Sequence, residues 1–197
     1  MYRVYVLGEL FGGIILPIVL NFFLWSSLIE TNSIGYNLKE MMSYIIISNV
    51  VLLFTQIHVE HELESDIKTY KLGQKLLLPV GYLVGVSYEH ISTSLAMFII
   101  LYLPIIFVTS FFADVMIQVN HLLYFTITLI IGFLLNALFS FIIGLLSFWI
   151  TEIWGIAAIR SLLTGLLSGA IFPLDILPTK FESTMLASPF PYMTYIP

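Results

Sequence analysis

The chain has 197 residues, of which 59% are hydrophobic and 10% charged, with a formal net charge of −5 and no cysteine. A soluble domain carries about 25% charged residues, and one this apolar would expose large greasy patches and aggregate. The negative balance gives no basic field for nucleic acid, and without cysteine there is neither a disulfide framework nor thiolate chemistry.

The composition is that of an integral membrane protein, expected to be all-α with about five transmembrane helices. Lipid offers no partner for free backbone N–H and C=O groups, so each span must be helical. The hydrocarbon core, about 30 Å thick, needs about 20 apolar residues as helix. The first such run is 10–29, broken only by Pro17 and Asn21. Its apolar stretch is too long for a cleavable signal peptide, and no small-residue cleavage site follows. The second run, 41–57, is shorter.

Residues 58–83 make up the inner segment between the second and third spans, and 58–75 is the most charged part of the chain. Val59, Leu63, Ile67 and Tyr70 fall at helical spacing, beside a charged stripe of Glu60, Glu64, Lys68 and Lys71. Glu64 and Lys68 form an acid-to-base i,i+4 pair in the favourable order. The pattern predicts a short amphipathic helix along the inner membrane face. It reads either as a solvated loop helix or as a docking helix for a cytoplasmic subunit. His58, Glu60, His61, Glu62 and Glu64 also invite a metal reading. The two histidines are three apart, however, where a zincin-type site needs four, and no distal ligand is evident, so no metal is expected. The stretch LLLPVGYLVGV from Leu76 to Val86 is too short to span. With Pro79 and Gly81 inside it, it reads as an interfacial elbow.

The third span is expected over 91–112, the fourth over 122–150 and the fifth over 153–172. The fourth is longer than one perpendicular crossing needs and should tilt or project from the bilayer. In the fifth, Ser161, Gly165 and Gly169 recur every four residues, a small-residue stripe that lets another helix approach closely. Arg160 lies inside the same apolar run. It can snorkel inward or pair with Glu152, and an intramembrane charge is a functional candidate by default. Asn21, Asn49, Gln56 and Asn136 are polar groups within spans, suited to substrate contact or to hydrogen bonds between helices.

Five of the eight prolines lie in the last 25 residues, interleaved with Phe172, Phe181, Phe190, Tyr192 and Tyr195. Proline stops helices and aromatics prefer the interface. Residues 173–197 are therefore expected to form a C-terminal re-entrant helical hairpin, two short pieces dipping into the outer leaflet. Placing the N-terminus inside puts Arg3, Lys68, Lys71, Lys75 and Arg160 on the inner side and Lys39 and Lys180 outside. Five against two favours that orientation. Trp149 and Trp154 would then anchor the inner interface and Trp25 the outer one. The whole chain, 1–197, reads as one membrane domain, and no Gly-x-Ser-x-Gly elbow, His-Glu-x-x-His pair or phosphate-cradling glycine loop marks an enzyme.

This order of features resembles an ABC-2 type transporter permease. Two stretches carry the likeness at the C-terminus: SGAIFPLDILP, from Ser168 to Pro178, and SPFPYMTYIP, from Ser188 to Pro197. The inner stretch from Glu62 through Asp66 and Ile67 to LLLPVGYL, and TEIWG from Thr151 to Gly155, are similar to one bacterial branch. Two positions depart from the pattern: Tyr70 stands where a glycine is expected, and Gly81 where a serine is expected. Permeases of this type have six spans, and Pro197 falls where the hairpin would turn back into the sixth, so an incomplete chain is expected.

The resemblance implies a permease subunit of an ATP-binding cassette exporter in the plasma membrane, the inner membrane of a bacterium. Such a subunit holds no ATP site. ATP and Mg belong to two cytoplasmic ATPase subunits, and the permease pairs with a second permease copy, identical or related. ATPase closure would push the inner coupling helices and switch a path between the permeases from inward to outward access. On that implication Glu62, Glu64, Asp66, Ile67, Tyr70 and Lys71 contact the ATPase, and Ser43, Asn49, Thr164 and Ser168 line the substrate path. The alternatives are a membrane scaffold or assembly protein without transport, and an intramembrane enzyme, which would need convergent ionisable groups within the spans.

Overall fold

The computed structural model describes residues 8, 12, 16–30, 35–104 and 122–197. Parts of the expected first and third spans, and the loop after the third, lie outside these residues. The described residues are helical, with no strand among them. In chain order they form α1 (Leu16–Glu30), α2 (Leu38–Thr55), α3 (Val59–Lys68), α4 (Leu72–Leu76), α5 (Tyr82–Met97), α6 (Leu122–Gly144), α7 (Trp154–Leu167), α8 (Thr179–Leu186) and α9 (Pro191–Thr194). A π turn, Phe98–Tyr102, extends α5, and 3₁₀ turns at Leu145–Phe148 and Leu174–Ile176 follow α6 and α7.

Three helical stretches are long and apolar enough to cross a membrane: Leu38–Lys68, Tyr82–Ile100 and Leu123–Phe148. Two shorter apolar helices, Leu16–Glu30 and Trp154–Leu167, complete the set. Against the expectation of about five spans, the described residues hold three helices of spanning length and two shorter apolar ones. The 14 residues of α7 rise about 21 Å, short of a core about 30 Å thick. The cause is local. Ser168 caps the helix, Gly169 adopts a φ of 75° and Pro173 follows, so the helix stops before Phe172.

Two boundaries differ from the sequence expectation for similar reasons. The amphipathic segment is two helices, because the chain turns at Tyr70, which has a φ of 58°. Tyr70 N–H donates to Ile67 C=O and Lys71 N–H to Asp66 C=O, at 3.2 and 2.9 Å, a Schellman closure that satisfies the last carbonyls of α3. α5, the helix of the expected third span, begins at Tyr82, before the expected elbow ends. Pro79 and Gly81 precede it and so punctuate its start rather than break it.

The chain divides into two compact units. The first takes the described parts of Met1–Val50 and Met97–Ile117. Its buried side chains include Trp25, Met41, Ile45 and Ile46. Polar side chains here return to their own helix: Asn21 Nδ2 donates to Pro17 C=O and Asn49 Nδ2 to Ile45 C=O, at 2.9 and 2.8 Å. At the start of α2 the Asn37 N–H donates to the Glu40 carboxylate at 2.9 Å, half of a capping box.

The second unit, Val51–Ala96 with Gln118–Pro197, carries the candidate site. Its apolar centre is Ile57, Val59, Val86, Phe133 and Ala137, with Tyr82, Leu83 and Phe141 packed against it. Among lipid tails such a cluster is held by close packing rather than by exclusion from water. α6 is the axis of the unit, with α3 on one stretch of it and α9 on another. Both contacts need glycine. A Cβ at Gly144 would lie 3.0 Å from Glu60 Cα, and one at Gly132 would lie 2.9 Å from the carbonyl oxygens of Tyr192 and Met193.

Candidate functional site

The site forms where the first turn of α3 meets α6 and α7. The first N–H groups of any helix lack intrahelical partners and favour negative charge, and α3 places Glu60 and Glu62 there. Glu60 is fully buried, as is Ser140 on α6 opposite it. Ser140 Oγ accepts the Glu60 N–H at 3.3 Å and donates to Glu60 Oε2. One hydroxyl therefore serves both the helix end and the carboxylate.

The other carboxylate oxygen meets Arg160. Arg160 Nη2 lies 2.7 Å from Glu60 Oε1 and Nε lies 3.2 Å from the same atom. Both side chains are almost entirely buried, at 1% and 0% exposure. The rest of the guanidinium is also used. Nη1 donates to Asn136 Oδ1 at 2.8 Å, and Nη2 faces Ile57 C=O at 3.2 Å and His58 Nδ1 at 3.0 Å. A buried ion pair returns its desolvation cost only with good geometry and satisfied remaining donors, and here four groups converge on one guanidinium. Arg160, expected to snorkel or to meet Glu152, instead reaches the first turn of α3.

A second tie lies one turn along. Glu64 Oε1 accepts the Ile153 N–H at 3.3 Å, at the residue that caps α7, and also holds Lys68 Nζ at 2.8 Å. A carboxylate at a helix N-terminus is electrostatically favoured. Asp66 is buried as well, 2.8 Å from Tyr82 Oη and 2.7 Å from Lys75 Nζ. Partial burial pulls the Lys75 pKa down, but the bond to Asp66 and its charge outweigh that and leave it raised. α3 is thus fastened along one side by three carboxylates to α6, α7 and the start of α5.

The opposite side is open. Glu62, Lys71 and Tyr70 are exposed, Tyr70 to 90%, and Ile67 is half-buried. The six expected ATPase contacts therefore fall into two groups: Glu62, Ile67, Tyr70 and Lys71 on accessible surface, and Glu64 and Asp66 engaged within the unit. Of the expected path residues, Ser43 and Asn49 belong to the first unit and Thr164 and Ser168 to the second. Ser43 Oγ donates to Lys39 C=O and Thr164 Oγ1 to Arg160 C=O, at 2.9 and 2.6 Å. Ser168 Oγ is buried with no partner among the described residues. In the small-residue stripe Ser161 is half-buried, Gly165 faces Ile171 and Gly169 faces Tyr195 and Leu174, so both glycines receive segments of this same chain.

His58, Glu60 and His61 lie close enough to hold a cation, their ligand atoms within 4.8 Å of one another. Glu60 Oε1 and His58 Nδ1 already face the Arg160 guanidinium, and a divalent ion there would sit beside a fixed positive charge. The donor set fits an ion pair better than a metal.

Glu60, His58, Asn136 and Ser140 were not singled out together by sequence reasoning. The available signal was Arg160 itself, since a cation in an apolar run needs a carboxylate and Glu60 adjoins the apolar stripe of α3.

Three helices long and apolar enough to cross a membrane, with two shorter apolar helices, mark a multi-pass membrane protein. Residues 15–197 match the model of the ABC-2 family of transporter proteins, and the chain belongs to that family. Neither the curated proteins nor the solved structures contain a match. The family is one of membrane permease components.

Proposed function

We propose that the chain is the membrane-spanning permease subunit of an ATP-binding cassette exporter, with α3 as the helix that receives the ATPase stroke. The observation that carries this reading is the two-sidedness of α3. One side is held to α7 through Glu60–Arg160 and Glu64–Ile153 and to α6 through Glu60–Ser140; the other side, with the turn that follows it, offers Glu62, Tyr70 and Lys71 to a partner. A push on the open side is delivered to α7 through a buried charge pair, which resists sliding because separating it strands two charges away from water. α7 carries Thr164 and Ser168, proposed to line the path with Ser43 and Asn49. The N-terminus is cytoplasmic in this reading, the ATPase subunits supply ATP and Mg, and a second permease copy completes the path.

The test is co-purification. Reversing the charge of exposed Glu62 and Lys71 should weaken retention of the neighbouring ATPase subunit while the chain still inserts. Retention at the unaltered level in that double variant would refute the docking face.

A further inference from the structure

An imidazole, His58, sits against the Glu60–Arg160 tie. Arg160 Nη2, Glu60 Oε1 and His58 Nδ1 form a triangle with sides of 2.7, 3.0 and 3.1 Å. A guanidinium has donors only, so Nδ1 can meet Nη2 only as an acceptor, which places the imidazole proton on Nε2. A protonated imidazole has no lone pair at Nδ1. Its N–H must turn to Glu60 Oε1, the atom Arg160 uses twice, and two cations then stand side by side. The His58 side chain is 42% exposed although Glu60 is fully buried, so protons from water reach the one ring that touches the pair.

We propose that His58 is a proton-responsive release on the Glu60–Arg160 tie: when neutral it accepts from Arg160 and completes the tie, and when protonated it competes for Glu60 and loosens α3 from α7. Histidine is the side chain whose charge ordinarily changes near physiological pH. The other charged or titratable groups around it are Glu60 and His61 on α3, the latter with ring centroids 5.7 Å apart, Arg160 on α7 and His90 on α5. Ser140 and Asn136, which face the pair from α6, do not titrate. The Ile57 carbonyl, 3.2 Å from Nη2, can take the hydrogen that His58 releases, so the guanidinium stays bonded after the switch. The consequence for transport rests on the reading of α3 as the coupling helix; the switch itself does not.

The chain has no cysteine, so single introduced thiols report cleanly. Leu63→Cys probes the buried face of α3 and Ser65→Cys its exposed face. With the full chain in lipid nanodiscs, the ratio of maleimide labelling at 63 to that at 65 is read at about pH 8 and about pH 5.5, the range imidazole titrates. The expected ratio rises severalfold on acidification with His58 present. It stays flat in His58→Asn, whose amide oxygen accepts from Arg160 without titrating, and His58→Gln serves if the Asn variant fails to insert. In His58→Lys it is high at both pH values. A flat ratio with His58 present, the same rise in the amide variants, or protection of position 63 at about pH 8 in the lysine variant would overturn the proposal. ATPase retention is not read here, so failure of the docking assignment leaves this result interpretable.

Discussion

Two of the segments packed on α6 are held by different physics. Near Gly144 it meets α3, whose contact is charged: Glu60 bonded to Ser140, Arg160 and through it Asn136. Near Gly132 it meets α9, whose contact is apolar, with Met193 buried, Phe190 edge-on to Phe139 at 5.9 Å and two backbone carbonyls against the glycine. The first contact is specific in charge and direction, which suits the proposed transmission of force. The second depends on volume alone. A segment that only needs to stay seated can be held that way.

Breaking the charged contact from one side should produce the largest effect. Arg160→Met strands a buried carboxylate and should cost about 3–5 kcal/mol, read as a lowered midpoint of thermal unfolding in nanodiscs. Adding Glu60→Met should recover much of that, because an apolar pair of similar volume replaces a buried ion pair at little cost. The apolar contact should fail by steric crowding instead. Gly132→Ala should cost about 1–3 kcal/mol, and limited proteolysis should cut the last residues of this variant faster while leaving the Glu60–Arg160 region protected. Gly144→Ala should show the reverse pattern. The two contacts would not be independent if either variant exposed both segments equally.

Smaller effects sharpen the boundary of the charged contact. Tyr70 holds a left-handed backbone that costs a side chain about 1–2 kcal/mol. Tyr70→Gly should therefore stabilise α3 slightly, seen as slower amide exchange in its last turn. Lys75 makes the smallest contribution. Its pKa is raised above 10.5 by Asp66. The stability it adds is present at neutral pH and lost as pH rises through that raised value. An alkaline titration should show this loss, and Asp66→Asn should remove it.

Much of this was legible in the sequence, and the rest was not for definable reasons. The apolar runs announced helices, and the prolines announced a broken C-terminal segment, seen as α8, α9 and a 3₁₀ turn. The glycine expected at position 70 has a physical basis in the left-handed backbone there, which Tyr70 adopts instead. The partner of Arg160 was not legible, because Glu60 lies 100 residues away and periodicity reports only a helix's own faces. Asn136 and Ser140 read as ordinary polar groups in an apolar helix until the tertiary contact gave them a charge pair to serve. The small residues Gly165 and Gly169 signalled a close approach but not its partner, which is the chain's own C-terminal segment.

The central claim is that motion of α3 reaches α7 through Glu60 and Arg160. The most direct measurement places a single cysteine at Thr164, one turn beyond Arg160, in the chain assembled with the proposed ATPase subunits, and reads thiol labelling with and without ATP. The account predicts that ATP changes labelling in the parent chain and not in Glu60→Gln, with the ATPase still bound in both. An ATP response in Glu60→Gln equal to that of the parent would contradict it.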